Sequence, residues 1–268
     1  MTDKEREEAQ PSVDPEQAGE RGQPGSEPGP IEGPTTVLVV AAHPDDPEFG
    51  CGGTSALWAS QGKEVYYVVA TSGDKGSSDP EMTSEKLVKL REAEQREAAC
   101  AIGVKKVFFL RLPDGELQPD LVLRRAIVKA IRLVRPEIVI THDPTNVYSD
   151  QGINHPDHQA VGHATLHAVY PTARDRLNFP EHEREGLRPH KVREVYLWGA
   201  REPNVWIDIS ESFDAKVRAL TCHRTQIQKP EELAKRMRER SESLAERYQG
   251  DGRVPKLAEA FRKISMTR

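Results

Sequence analysis

The stretch TTVLVVAAH, residues 35–43, is an unbroken apolar run rich in β-branched side chains that ends in a polar cluster, His43-Pro44-Asp45-Asp46. A run of this kind, apolar without alternation, is a strand buried on both faces, and such strands belong to parallel sheets. Working outward, GCGGTSALWASQG (50–62) has helical character and a Gly62 stop. VYYVVATSGD is a second buried run, and SEKLVKLREAEQREAACAIG is a long amphipathic stretch. The alternation continues through KKVFFLRL, LVLRRAIVKAIRLV and EIVITHD, then a helix from His155 toward Tyr170. Strand and helix alternating through short connections predict right-handed βαβ units, hence an α/β, Rossmann-like, three-layer doubly wound fold with a mostly parallel sheet.

The 268 residues carry 38 Lys+Arg and 43 Asp+Glu, a net charge of −5, which argues against a nucleic-acid binder built on bulk positive charge. Residues 1–34 hold nine acids, three bases, six prolines and five glycines, a composition that cannot offset the entropy of ordering, and are expected to form a disordered acidic tail. The domain is expected to span 35–250, with 251–268 as an extension of undecided order. The absence of a signal-like N-terminus and of any apolar run near the roughly 18 residues of a membrane span points to a cytoplasmic protein. The cysteines Cys51, Cys100 and Cys222 form no C-x-x-C pair, so any metal is held by nitrogen and oxygen.

In the last third, PTARDRLNFPEHEREGLRPH (171–190) reads as an insertion loop near the site mouth. VREVYLWG and NVWIDIS read as strands, with Ser210 as N-cap of the helix beginning FDAKV, and 231–248 as a charged final helix.

Ligands of an open parallel sheet collect at the carboxyl ends of its strands. There the chain places His43-Pro44-Asp45-Asp46, Ser72-Gly73-Asp74, Pro113-Asp114-Gly115 and Thr141-His142-Asp143, while His155-Pro156-Asp157-His158 opens the next helix. So many converging carboxylates repel one another unless a cation is present. Imidazole and carboxylate ligands suit zinc, with three protein ligands and an open fourth position. One His-Pro-Asp alone is a turn, since Pro fixes φ and Asp caps the following amides; two in one chain favour a site. His43 and Asp46, and likewise His155 and His158, stand three apart, on one side of a turn. Spacing leaves open which histidine is spared for catalysis. His142 and Asp143 divide between support and capping, whereas His163 and His167 read as surface or packing residues, and His182, His190 and His223 sit in charged or irregular contexts with no catalytic part expected of them.

A rival class is a nucleotide-binding oxidoreductase using Gly50-Cys51-Gly52-Gly53, with Asp74 some twenty residues on. The third glycine would fall on Ser55, and a Pro-Asp-Asp-Pro turn separates strand from glycines, where a pyrophosphate needs a tight junction.

Ala42-His43-Pro44-Asp45-Asp46-Pro47-Glu48-Phe49-Gly50-Cys51-Gly52-Gly53-Thr54, together with His155-Pro156-Asp157-His158, closely resembles the two signature motifs of the LmbE-like, or PIG-L, zinc deacetylases. The resemblance runs across most of 36–228 and takes in Arg91, the LPDGEL segment and Lys216…His223-Arg224-Thr225-Gln226. It implies removal of acetyl from an N-acetylglucosamine-type sugar or its conjugate; some relatives cleave other amides. It also implies His43, Asp46 and His158 as ligands of one Zn2+ (or another divalent ion such as Fe2+), Asp45 as general base and His155 as oxyanion stabiliser. In the mechanism expected from these residues His155 is protonated and oriented by Asp157 or Asp143. Asp74, Arg91 and Asp114 are candidates for the sugar hydroxyls; Arg91 also reads as an exposed i,i+3 partner of Glu94. The expected partner is a small amino-sugar substrate, with neither nucleic acid nor a membrane span, and with a homo-oligomer left open. Three positions depart from the family pattern: Pro47 pushes the acid to Glu48, Ile153 stands where some relatives carry a tyrosine for which Tyr148 is the candidate substitute, and Thr225 replaces serine.

Overall fold

A computed structural model describes residues 35–149 and 152–266. The acidic tail expected for 1–34 lies outside them. Five parallel strands carry the fold: β1 (Thr36–Ala41), β2 (Glu64–Thr71), β3 (Lys106–Leu112), β4 (Ile138–His142) and β7 (Glu194–Trp198). In the sheet they stand in the order β3-β2-β1-β4-β7, extended by β9 (Ala258–Ser265), antiparallel to β7, and then by β8 (Val205–Asp208), which pairs antiparallel with β9 and forms the edge. A short hairpin, β5 (Tyr148–Ser149) with β6 (Gly152–Ile153), lies apart. This is the doubly wound α/β fold that the alternation of runs implied.

The unbroken apolar run is explained by two cores. Val37, Val39 and Ala41 of β1 face α1 (Asp46–Ser60), α2 (Ser84–Ala101) and α6 (Phe213–Thr221), whereas Leu38, Val40 and Ala42 face α3 (Leu121–Val134) and α4 (Pro156–His167). All six residues are fully buried. Helix starts follow local chemistry: the Thr83 hydroxyl accepts from the Lys86 amide and the Asp120 carboxylate from those of Val122 and Leu123, satisfying amides that have no partner inside the helix.

The glycine run lies inside α1, which is broken at Cys51. A Cβ on Gly50 would stand 2.6 Å from the Trp198 ring, and one on Gly53 2.8 Å from Ile209. The glycines therefore permit close helix packing, and the nucleotide reading loses its phosphate loop.

Three expectations for the last third are corrected. Residues 258–265 are no extension: β9 sits between β7 and β8, so the domain does not close at residue 250, although α7 (Pro230–Glu246) is the final helix among the described residues, as expected. Ser212, not Ser210, precedes α6, and its hydroxyl donates to the Gly53 carbonyl, while Ser210 bonds Asp208. The 171–190 segment contains the short α5 (Pro180–Arg184) and packs far from the site mouth. Fully buried Arg132, at the end of α3, donates to the carbonyls of Thr172, Ala173, Asp175, Asn178 and Phe179, and His190 to that of Pro136 just before β4. Helix α3 runs back from the carboxyl ends of the strands, so this segment covers their amino ends.

Candidate active site

At the carboxyl end of β1 the chain turns through Pro44 into Asp45, which has φ 89°, a left-handed conformation that costs an L-residue roughly 1–2 kcal/mol. The turn points Asp45 and Asp46 in different directions. Helix α4, opened by His155 and Pro156, brings His158 to the same place from the other side of the sheet.

His43, Asp46 and His158 converge there, each offering one ligand atom within 4.8 Å of the others. His43 Nδ1 lies 3.2 Å from Asp46 Oδ2, and His158 Nε2 lies 3.2 Å from Asp46 Oδ1. The far nitrogen of each imidazole is anchored: His158 Nδ1–H donates to Asn154 Oδ1 at 2.8 Å, and His43 Nε2 faces Asp114 Oδ1 at 3.1 Å and Asp157 Oδ2 at 3.2 Å. Oxygen acceptors behind ligating histidines fix the tautomer and orient the ring, so Nδ1 of His43 and Nε2 of His158 are left for a cation. Two imidazoles and a carboxylate with an open side fit a divalent ion of the zinc type.

The charge balance says the same. Burial alone would lower the His43 pKa, but hydrogen bonds to Asp114, Asp157 and Asp46 raise it to about 12, so without a cation a proton neutralises the cluster. Asp46, although burial opposes it, is held well below the usual carboxylate range by His158, His142 and His43. A second grouping of His43, Asp114, His155 and Asp157 shares His43 through its other nitrogen. There Asp157 already accepts the amides of Gly115 and Leu117 and Asp114 accepts that of Lys75, so these carboxylates support His43 instead of offering a second open site.

Asp45, beside the cluster, is pushed up to about 7 by burial, against the opposing pull of the Arg91 guanidinium 3.2 Å away and with Asp46 adding to the rise. Its backbone N–H donates to Gln95 Oε1 at 2.9 Å. His155 accepts the Asp157 amide at Nδ1, so its neutral tautomer carries the proton on Nε2; burial, and then the nearby positive His43, lower its pKa. Orientation of His155 by an acid is corrected: the Asp157 carboxylate is 4.0 Å away and fully buried under His43, and Asp143 binds the amide and hydroxyl of Thr145. His142 receives the Ala42 amide and stacks on His158 at 4.2 Å, a neutral group whose pKa burial drops to about 4.

The proposed sugar contacts fall unevenly. Arg91 is buried, not exposed toward Glu94; it donates to the carbonyls of Gly73 and Pro44 and to Asp45. Asp74 accepts the Asp114 amide, and Asp114 is held near a pKa of 2 by His43 against its burial. Tyr148 pairs across the hairpin with Ile153, its carbonyl and ring both engaged by Arg201. Asp46 and His158 open on a cleft of about 200 Å³, whose walls include Asn146, Asn154, Trp198 and Arg240. Sequence reasoning missed Gln95, Asn154 and the pairing of Glu48 with His223; the i,i+4 relation of Arg91 and Gln95 was the available signal for the first.

A model of the family described as "PIG-L: GlcNAc-PI de-N-acetylase" matches residues 38–169. A diacetylchitobiose deacetylase of Thermococcus kodakarensis is 34% identical over 201 residues, 74% of this chain and 71% of that protein. A probable N-acetyl-alpha-D-glucosaminyl L-malate deacetylase 2 of Bacillus cereus is 34% identical over 198 residues, 71% of this chain and 83% of that protein. The solved structure of the N,N'-diacetylchitobiose deacetylase of Pyrococcus horikoshii superposes with a TM-score of 0.77 at 28% identity, covering 86% of this chain and 84% of the other. With the matched segment carrying both His-Pro-Asp motifs and the fold shared beyond it, this chain belongs to the PIG-L family.

Proposed function

We propose that this protein is a zinc-dependent hydrolase that removes the acetyl group from an N-acetylglucosamine-type sugar or its conjugate. The observation that carries the reading is the convergence of His43 Nδ1, Asp46 and His158 Nε2 on one point, with Asp45 next to Asp46 in the chain and the His155 ring 4.5 Å from that of His43. The deacetylase relatives support the bond broken.

Held by His43, Asp46 and His158, a divalent cation supplies Lewis-acid polarisation of the amide carbonyl and acidifies a water toward neutral pH. Asp45 takes a proton from the attacking water and returns it to the departing amine, which leaves far more readily once protonated. His155 faces the same space with its Nε2–H and donates to the developing oxyanion as a neutral imidazole. Asp157 and Asp114 keep His43 in the tautomer that leaves Nδ1 free. Arg91 holds the Asp45 carboxylate and the Pro44 carbonyl, so its first effect on the reaction is through the base.

Metal analysis and an acetate-release screen over N-acetylglucosamine conjugates test this. One zinc per chain is expected, with release abolished by a chelator and restored by added zinc. Bound nicotinamide cofactor without metal would favour the oxidoreductase class, and zinc without acetate release from any conjugate would mark a sugar-binding relative.

A further inference from the structure

Behind Asp45 lies a chain of buried polar groups that the deacetylation steps do not use. The Asp45 amide donates to Gln95 Oε1 at 2.9 Å, Gln95 Nε2 donates to Glu48 Oε1 at 2.8 Å, and His223 Nε2 lies 3.1 Å from Glu48 Oε2. Gln95, Glu48 and His223 are all fully buried. They come from three places: α2, the first turn of α1, and the turn after α6, which Glu94 ties to α2 through the Thr225 amide and hydroxyl.

We propose that Gln95, its side-chain amide oriented by the Glu48–His223 pair, is a positioning residue that holds Asp45 in the left-handed conformation from which its carboxylate serves the reaction. The inference rests on the deacetylase reading only for its kinetic readout.

The logic follows from donor and acceptor inventories. A backbone N–H can only donate, so the Gln95 carbonyl oxygen must face the Asp45 amide, and the Gln95 NH2 is then turned toward Glu48 Oε1, which accepts it. With the amide flipped, two donors would oppose each other at Asp45. His223 Nε2, against the other carboxylate oxygen, holds the Glu48 side chain in place from behind. Arg91 and Gln95, one helical turn apart on α2, thus grip Asp45 by side chain and by backbone. A buried polar pair is a poor source of stability compared with apolar packing. Its chain of hydrogen bonds ends on Asp45, a non-glycine residue with a positive φ of 89°, which gives the pair a conformational use instead.

The test uses the full-length, zinc-loaded protein and four variants: Gln95→Leu, Gln95→Asn, His223→Leu and His223→Gln. Acetate-release kinetics, zinc content, unfolding midpoints and hydrogen exchange at the Asp45 amide are read for each. Gln95→Leu and His223→Leu are expected to lower kcat by about 10–100-fold, the range for partners one step removed from a metal site, with KM and zinc content unchanged. His223→Gln, which keeps a donor for Glu48, should recover most of kcat. Wild-type kcat in Gln95→Leu, zinc loss in parallel with activity, or no rescue by His223→Gln would each overturn the proposal. Should the wild type release acetate from no conjugate, the deacetylase reading falls and exchange decides. An Asp45 amide exchanging about tenfold faster in both Leu variants than in the wild type and His223→Gln supports the positioning role, and equal exchange in all refutes it.

Discussion

Asp45 and Asp46 are adjacent in sequence, and the division of roles proposed for them follows from the left-handed backbone at Asp45, which separates their directions. Asp46 is surrounded by three imidazoles that keep it ionised, whereas Asp45 faces burial with a single guanidinium. Asp45→Asn is therefore expected to lower kcat by about 10²–10⁴-fold while retaining one metal per chain; metal analysis showing parallel loss would instead make Asp45 a ligand. His155 accepts the Asp157 amide as the cap of α4, which leaves the proton on Nε2 for the oxyanion role proposed for it. His155→Asn retains a capping side chain, so its expected loss of about 10²–10³-fold in kcat reports the missing oxyanion donor, and an unchanged unfolding midpoint checks that the cap survives.

At the scale of elements, β9 shows how much the site depends on the end of the chain. Glu259, on that strand, accepts the amides of Gly53 and Thr54 in α1 and the ammonium of Lys216 in α6, with both charged side chains 4% exposed. This ties the helix bearing Asp46 and Glu48 to the antiparallel edge of the sheet. Glu259→Gln strands Lys216 as an unpaired buried charge and is expected to cost about 3–5 kcal/mol in denaturant unfolding. A loss under 1 kcal/mol would show that water reaches Lys216 and that the tie is weak. The amphipathic stretches that form the helices were legible in sequence, whereas the one N-cap read there, Ser210, was displaced by Ser212. The strand character of 258–265 was not, because AEAFRKIS alternates only weakly and its apolar residues find their partners on β7 and β8.

For the whole molecule, the two edges of the sheet have separate acid–base behaviour. At the amino edge, burial lowers His182 and His190 to about 4 from an ordinary value near 6.5. The unfolded chain then binds protons that the folded chain refuses. The stability these two contribute is present above pH 6.5 and is lost as pH falls through 4, at about 1.4 kcal/mol per pH unit for each. Unfolding midpoints between pH 7 and 4.5 should fall accordingly, and His190→Gln should flatten the slope; an unchanged slope would mean that His190 is protonated in the fold. Among the described residues no helix is long and apolar enough to cross a membrane.

The sequence by itself determined the parallel sheet, because a strand buried on both faces needs a continuous apolar run, and it placed the chemistry at the ends of those runs. It also determined the donor types of the metal site, since the imidazoles and carboxylates sit in two short motifs whose spacing is local. Which nitrogen of His43 faces the cation, how Arg91 reaches Asp45, and how Glu48, Gln95 and His223 meet behind Asp45 were decided by the tertiary structure alone. Those contacts join residues 46 to 175 positions apart, and no local pattern encodes a hydrogen bond whose partners are brought together only when the layers pack.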